Sequence, residues 1–290
     1  MPIDDIHPSY HSPESRETLQ TLLQDITAWE KSQKDLWFWE KIGRLPFQLL
    51  DRLTPQSIQK KLGEAMDEVG SYVQTGGQYL VSEQGVLTRL SQEADALGGA
   101  CLPDEPLTLA HVRSGLPLAV MDKAARQLAQ SRIAFATAQG ATTGFGGLFT
   151  LAIDIPAILG LSLKTIQEIA MTYGYDPKEK AERVFVIKCL QFASADIVGK
   201  KAVLEELADF GNDQRQRETL SQLQGWREVV AAYRDNFGWK KLFQLVPIAG
   251  MLFGAVLNRG TLQDVAEAAT MLYRKRRILE RLELLERLTD

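Results

Sequence analysis

Asp154 is the side chain best placed to do chemistry in this chain. It is the only charge between Gly144 and Leu163, the most apolar run of its length in the sequence. A carboxyl group held out of water changes its proton affinity, so it can serve as a buried acid or stand on an ion path. The same residue also suits a helix start. Its carboxylate can accept from free backbone N–H groups, and Pro156 is tolerated in a first turn. The second reading is preferred, because Asp154 has no evident partner in the sequence.

Other constellations fail on inspection. Gly140, Gly144, Gly146 and Gly147 suggest a phosphate cradle, but the Lys-Ser/Thr pair of a P-loop is missing. Leu148 and Phe149 follow where a dinucleotide fingerprint needs its third glycine. His7, His11 and His111 have no metal-ligand spacing. There is no Gly-x-Ser-x-Gly elbow. Cys101 and His111 would form a nucleophilic pair only if the fold united them. Glu205 and Glu206 read as a solvated helix face. We therefore name no catalytic residue, no metal ligand and no cofactor.

Composition narrows the class. Apolar residues make up 45% of the 290 and charged residues 24%, as in ordinary globular proteins. A net charge of −4 gives no support to nucleic-acid binding. Cys101 and Cys189 form no framework, which suits a reducing compartment. The N-terminus lacks the basic-then-apolar pattern of a secretory signal. The expectation is a cytoplasmic protein, peripheral to the inner membrane if it meets membrane at all.

The elements that must position Asp154 read as helices throughout, with no strand alternation. We divide the chain into a loose tail over 1–13, a Trp-rich helical arm over 14–53 and a helical domain over 54–290. The arm is helical by pattern from Glu14 to Ile42, with Leu19, Leu22, Leu23, Ile26 and Trp29 on one face. Trp37 and Trp39 beside Lys41 and Arg44 could settle at a lipid–water interface or meet a partner. Packing onto the chain's own body is the favoured reading, because aromatics are strong anchors. Thr54 and Pro55 open a further helix that stops near Gly76. Residues 82–105 show no clear period, and Leu107–Val112 reads as a short helix.

A long helix from Pro117 to Ala138 leads into the glycines, with Gly144 at a turn or a close backbone approach. The next helix starts near Asp154 and ends at Gly174, a natural C′ residue. Asp176 and Glu179 suggest a cap for a helix from Pro177 to Val198. Helices over Lys200–Phe210 and Asp213–Asn236 follow. A second apolar block, Leu242–Asn258, carries Pro247, Gly250 and Gly254, and is expected to pack on the first. Thr261 and Asp264 look like the start of the last helix, whose basic run Arg274, Lys275, Arg276 and Arg277 reads as part of a solvated helix that docks the core or a partner, attachment to anionic lipid being disfavoured by the nearby acids. The fold expected is an all-α multi-helix bundle organised around an apolar Gly/Pro-containing helical hairpin. A single membrane span is disfavoured by the glycines, Pro156 and Asp154.

The order Gly140, Gly144, Asp154, Pro156, then Tyr173, Gly174, Tyr175 and Asp176, then Pro247, Gly250, Gly254, Asn258, Tyr273 and Arg274 resembles the EcsC protein family, over about residues 60–285. The resemblance implies a cytoplasmic or membrane-associated helical protein of undefined biochemistry. The family takes its name from a bacterial protein encoded beside an ABC-type transporter. It supplies no catalytic residues to carry over, though it draws attention to Asp154, Pro156, Gly144, Gly174 and Asn258. The expectation is a non-enzymatic interaction protein bound to a membrane surface or a membrane-protein complex. The alternatives are a binder of lipid or another apolar small molecule, and an enzyme using Asp154.

Overall fold

A computed structural model describes residues 12–33, 81–98, 102–103, 105–143, 148–195, 197–208 and 247–288. Among these there are eight helices and no strand. In chain order they are α1 (Arg16–Ser32), α2 (Glu83–Ala96), α3 (Leu109–Gly115), α4 (Leu118–Thr143), α5 (Leu148–Thr172), α6 (Lys180–Ser194), α7 (Ile197–Ala208) and α8 (Pro247–Arg287). The helices expected over 54–76 and 213–236 fall outside the described residues, as do Gly144, Trp37, Trp39, Lys41 and Arg44.

α1 forms where its apolar face predicts. Ser15 caps it by accepting from the Thr18 N–H at 3.3 Å. Leu19 and Ile26 are buried, and Leu22, Leu23 and Trp29 pack beside them. The helix lies antiparallel along α8, with Arg16 to Glu286 at 2.8 Å and Lys275 to Glu30 at 2.7 Å. Trp29 donates to Glu267 at 2.6 Å and places its ring 5.5 Å from that of Phe192. This part of the arm therefore packs on the chain's own body.

α2 occupies a stretch without an evident period. Ser82 accepts from the Gly85 N–H at 3.2 Å, and Val86, Leu87, Leu90, Glu93 and Ala94 are buried. That spacing is helical, but a buried glutamate in the stripe hides it. Glu93 is held there by Lys123 at 2.8 Å.

α5 begins six residues earlier than expected, at Leu148. Asp154 and Pro156 lie inside it, so Asp154 is not an N-cap, which would require a non-helical backbone at that residue. Pro156 removes one intrahelical hydrogen bond in a helix that nevertheless runs on to Thr172. The far end is as anticipated. Gly174 takes φ +79°, its N–H reaches the Met171 carbonyl at 2.9 Å, and the Tyr175 N–H reaches Ala170 at 3.0 Å. An added Cβ would lie 2.9 Å from the Arg113 backbone nitrogen, so α3 is seated directly against this glycine.

Two further helix starts differ from expectation. Asp176 accepts from the Lys178 N–H at 2.9 Å, a local turn that uses the carboxylate before α6 begins at Lys180. Thr261 and Asp264 are interior to α8, which runs without a break for 41 residues, about 60 Å. α7 starts at Ile197, three residues before the position predicted.

α5 packs against α2, α4, α6 and α8; α8 packs against α1, α4, α5 and α6. The two helices that carry the apolar blocks thus touch each other. Their directions follow from paired side chains. Arg132 of α4 grips Glu168 of α5 at 2.6 and 2.7 Å, while Asp122 of α4 meets Tyr173 just past α5. Asp122 also meets Arg274 of α8 at 2.9 Å, and Arg281 reaches the Leu116 carbonyl just before α4. α4 is therefore antiparallel to both α5 and α8, and the bundle has two chemically distinct ends.

Candidate functional site

The first end is built on the turn Tyr173, Gly174 and Tyr175. A helix terminus leaves carbonyls without partners. Arg277 resolves this one by donating from Nε and Nη2 to the Tyr173 carbonyl at 3.0 and 2.6 Å, and from Nη1 to Glu280 at 2.7 Å. Its side chain is 2% exposed. Tyr175 donates to Glu280 at 3.1 Å, and the Arg276 and Arg277 guanidinium carbons stand 4.3 and 4.4 Å from its ring centre. Arg276 pairs with buried Glu182 at 2.6 Å, and Arg113 approaches Glu280 at 3.5 Å. Arg281 pairs with Glu14, whose other oxygen accepts the Leu118 N–H at 2.6 Å and so caps α4 from 104 residues away.

The electrostatics follow from burial and partners. Burial alone would raise the Glu280 carboxyl, but Arg277, Arg113 and Arg276 outweigh it and hold it below the usual range. Burial pushes Glu182 up, and Arg276 pulls it only part of the way back. Asp122 behaves alike, with Arg274 as the opposing charge. Burial drives the Tyr173 and Tyr175 phenols and the Cys189 thiol upward, which keeps all three protonated and unreactive at neutral pH. Each guanidinium here meets a carboxylate or a carbonyl. The arrangement locks helix ends together; it does not present a reactive group.

This cluster was invisible to pattern reading. Arg274, Lys275, Arg276 and Arg277 were expected on a solvated helix that docks the core or a partner. The helix does dock the core, but these cations are not solvated: they pair with Asp122, Glu30, Glu182 and Glu280 respectively. Alternating arginines and glutamates on a helix look solvated, and the partners lie far away in sequence. Of the candidate site residues, only Gly174 belongs to this end, together with Tyr173, Tyr175 and Arg274 of the family pattern.

The second end holds Asp154, Pro156 and Asn258, while Gly144, Trp37, Trp39, Lys41 and Arg44 lie outside the described residues. α4 from Ile133, α5 up to Leu163 and α8 up to Asn258 all run there, and Asp154 is the only charge those three helical stretches carry. Phe135 is 59% exposed and Val256 is 66% exposed. Asn258 is buried, and neither its Oδ1 nor its Nδ2 has a hydrogen-bond partner among the described residues. Among the described residues no helix is long and apolar enough to cross a membrane.

Comparison with known proteins now places the chain. The model of the EcsC protein family matches residues 20–278. The chain belongs to the EcsC protein family. The match starts within α1, so the family relationship reaches further into the N-terminal arm than the motifs alone implied. The "Uncharacterized protein YdbA" of Bacillus subtilis (strain 168) is 58% identical over 275 residues, covering 94% of this chain and 98% of that protein. "Protein EcsC" of the same organism is 29% identical over 167 residues, covering 58% of this chain and 68% of that protein. No solved structure matches.

Proposed function

We propose that this EcsC family member is a non-enzymatic interaction protein, attached peripherally to a membrane as part of a transporter-type complex. The observation that carries this reading is the convergence of three nearly uncharged helix ends, with Phe135 and Val256 turned outward among them. Charge is excluded from surfaces that meet apolar partners, and exposed apolar groups set among polar ones mark such contacts. In this reading the apolar hairpin of α4 and α5, with its glycines and Pro156, is the contact element. Trp37 and Trp39, with Lys41 and Arg44, add the aromatic and basic character that suits a lipid–water boundary. The family's link to a transporter gene supports a membrane complex over bare lipid.

Fractionation of native cells tests this. The chain should sediment with membranes and be released by salt or carbonate. A chain found wholly in the supernatant, with no membrane protein retained on it in pull-downs, would overturn the reading.

A further inference from the structure

The charges that border the uncharged end are positive. Followed away from that end, α4 meets its first charge at Arg132 and α8 at Arg259, while α5, once past Asp154, meets Lys164. Their levels follow from Asp122, whose contacts with Tyr173 and Arg274 align the three helices. At 1.5 Å per residue, Arg132, Lys164 and Arg259 stand about 15, 14 and 22 Å beyond that contact. They form a band about 8 Å deep, close to the depth of one layer of lipid headgroups.

Pairing within the fold accounts for only one of the three. Arg132 is held by Glu168 at 2.6 and 2.7 Å. Lys164 and Arg259 have no ion-pair partner among the described residues. Lys164 is half-buried on a helix whose residues 158–173 are otherwise buried, Gly160 apart, so a lone lysine emerges from the core at this level. Arg259 is exposed.

Beyond the cations the described surface turns apolar. Phe135 follows Arg132 by three residues, and Val256 precedes Arg259 by three, so each lies one turn nearer the uncharged end on its cation's face. Both are more than half exposed, and Ala134, Ala138 and Thr142 are exposed beside them. Past the band, α4, α5 and α8 continue for about 16, 24 and 18 Å, against about 15 Å of hydrocarbon in half a bilayer. That length enters one leaflet without crossing the membrane.

We propose that the uncharged end dips into one leaflet of a bilayer containing anionic phospholipid, with Lys164 and Arg259 on headgroup phosphates. This rests on the reading of that end as the contact surface and names what the surface meets. Long basic side chains reach phosphates while their stems lie along apolar surface, and Phe135 and Val256 suit the acyl boundary below them. The chain's net charge of −4 gives no general attraction to an anionic surface, so the attraction is local to this band and is weakened by salt. Asp154 opposes deep entry, but it sits on α5, which packs against α2, α4, α6 and α8.

Co-sedimentation of the purified full-length protein with vesicles tests this. Each cation near an anionic leaflet contributes about fivefold in binding. Vesicles of equal parts phosphatidylcholine and phosphatidylglycerol should therefore bind the protein about 25-fold more tightly than pure phosphatidylcholine vesicles do. Lys164→Gln combined with Arg259→Gln should remove that difference while the urea midpoint stays unchanged. Arg259→Gln alone, a surface change, should weaken binding to the mixed vesicles about fivefold, and serves if the pair fails to fold. Lys180→Gln, which removes an exposed cation of the other end, should leave binding as it is. Equal binding to both kinds of vesicle would overturn the proposal, as would Lys180→Gln weakening binding as much as Arg259→Gln. Wild type that ignores vesicles yet sediments with native membranes would overturn the lipid contact and leave the membrane complex standing. Failure on both would remove both.

Discussion

The two ends of this bundle spend their polar groups in opposite ways. At one end Arg113, Arg274, Arg276, Arg277 and Arg281 each meet an acid or a carbonyl within the chain. At the other, among the described residues, one amide is buried without a partner and two large apolar side chains face outward. The first end pairs its charges within the chain, although Glu182 Oε2, Arg274 Nε and Arg281 Nε are buried there without a hydrogen-bond partner among the described residues. The second carries almost no charge to pair. The contrast separates where the fold is held from where the molecule is proposed to act.

The largest effect should come from the centre of the charged end. Arg277→Ala removes the groups that satisfy the Tyr173 carbonyl and leaves Glu280 without its nearest cation. Breaking a buried ionic contact of this kind costs about 3–5 kcal/mol, which urea denaturation would read directly. A loss below about 1 kcal/mol, the range of exposed pairs, would mean that the end is solvated and the contrast is false.

Gly174→Ala should come next. The residue has φ +79°, and a Cβ would press on the Arg113 backbone at 2.9 Å. Strain of this sort costs about 1–3 kcal/mol. An unchanged urea midpoint would show that α3 is not seated against the turn.

The pH dependence sharpens the same comparison. Glu280 titrates below its ordinary value, so its contribution is present above that value and lost as pH falls through the folded one. Glu182 and Asp122 titrate above theirs, so their contributions are present at low pH and lost as pH rises through the folded values. Glu280→Gln removes only the first. The stability gap between wild type and this variant should be widest at pH 7, at about 1.5–3 kcal/mol, the worth of charged hydrogen bonds, and should narrow progressively as pH falls below the ordinary glutamate range. A gap that does not change with pH would assign Glu280 a packing role only.

How much of this could be read from residues alone depends on distance along the chain. Gly174 was legible because a C′ glycine is a local device, fixed by carbonyls three and four residues away. The face of α1 was legible because Leu19 and Ile26 repeat within one helix. That the helices carrying the two apolar blocks touch each other was legible because apolar faces must hide from water. The start of α5 was misread because Asp154 and Pro156 satisfy every local rule for a first turn, yet the helix begins at Leu148. The arginine cluster was missed because its partners are remote: Glu14 is 267 residues from Arg281, and Asp122 is brought to Arg274 only by the fold. Asn258 was noticed through the family resemblance, but that it is buried without a partner is a property of packing.

The smallest effect on stability should come from the uncharged end, and there it carries the most information. Phe135 and Val256 are more than half exposed, so Phe135→Glu combined with Val256→Glu should shift stability by no more than about 1 kcal/mol, as expected for two surface changes. The same pair places two negative charges where α4 and α8 otherwise have none. If this end meets a membrane complex, the variant should move from the membrane pellet to the supernatant while its urea midpoint stays close to that of wild type. Unchanged sedimentation with unchanged stability would show that this surface does not make the contact, and Trp37 and Trp39 would become the residues to replace. Loss of stability without release would mean that these side chains support the core, and the division between a holding end and a binding end would have to be withdrawn.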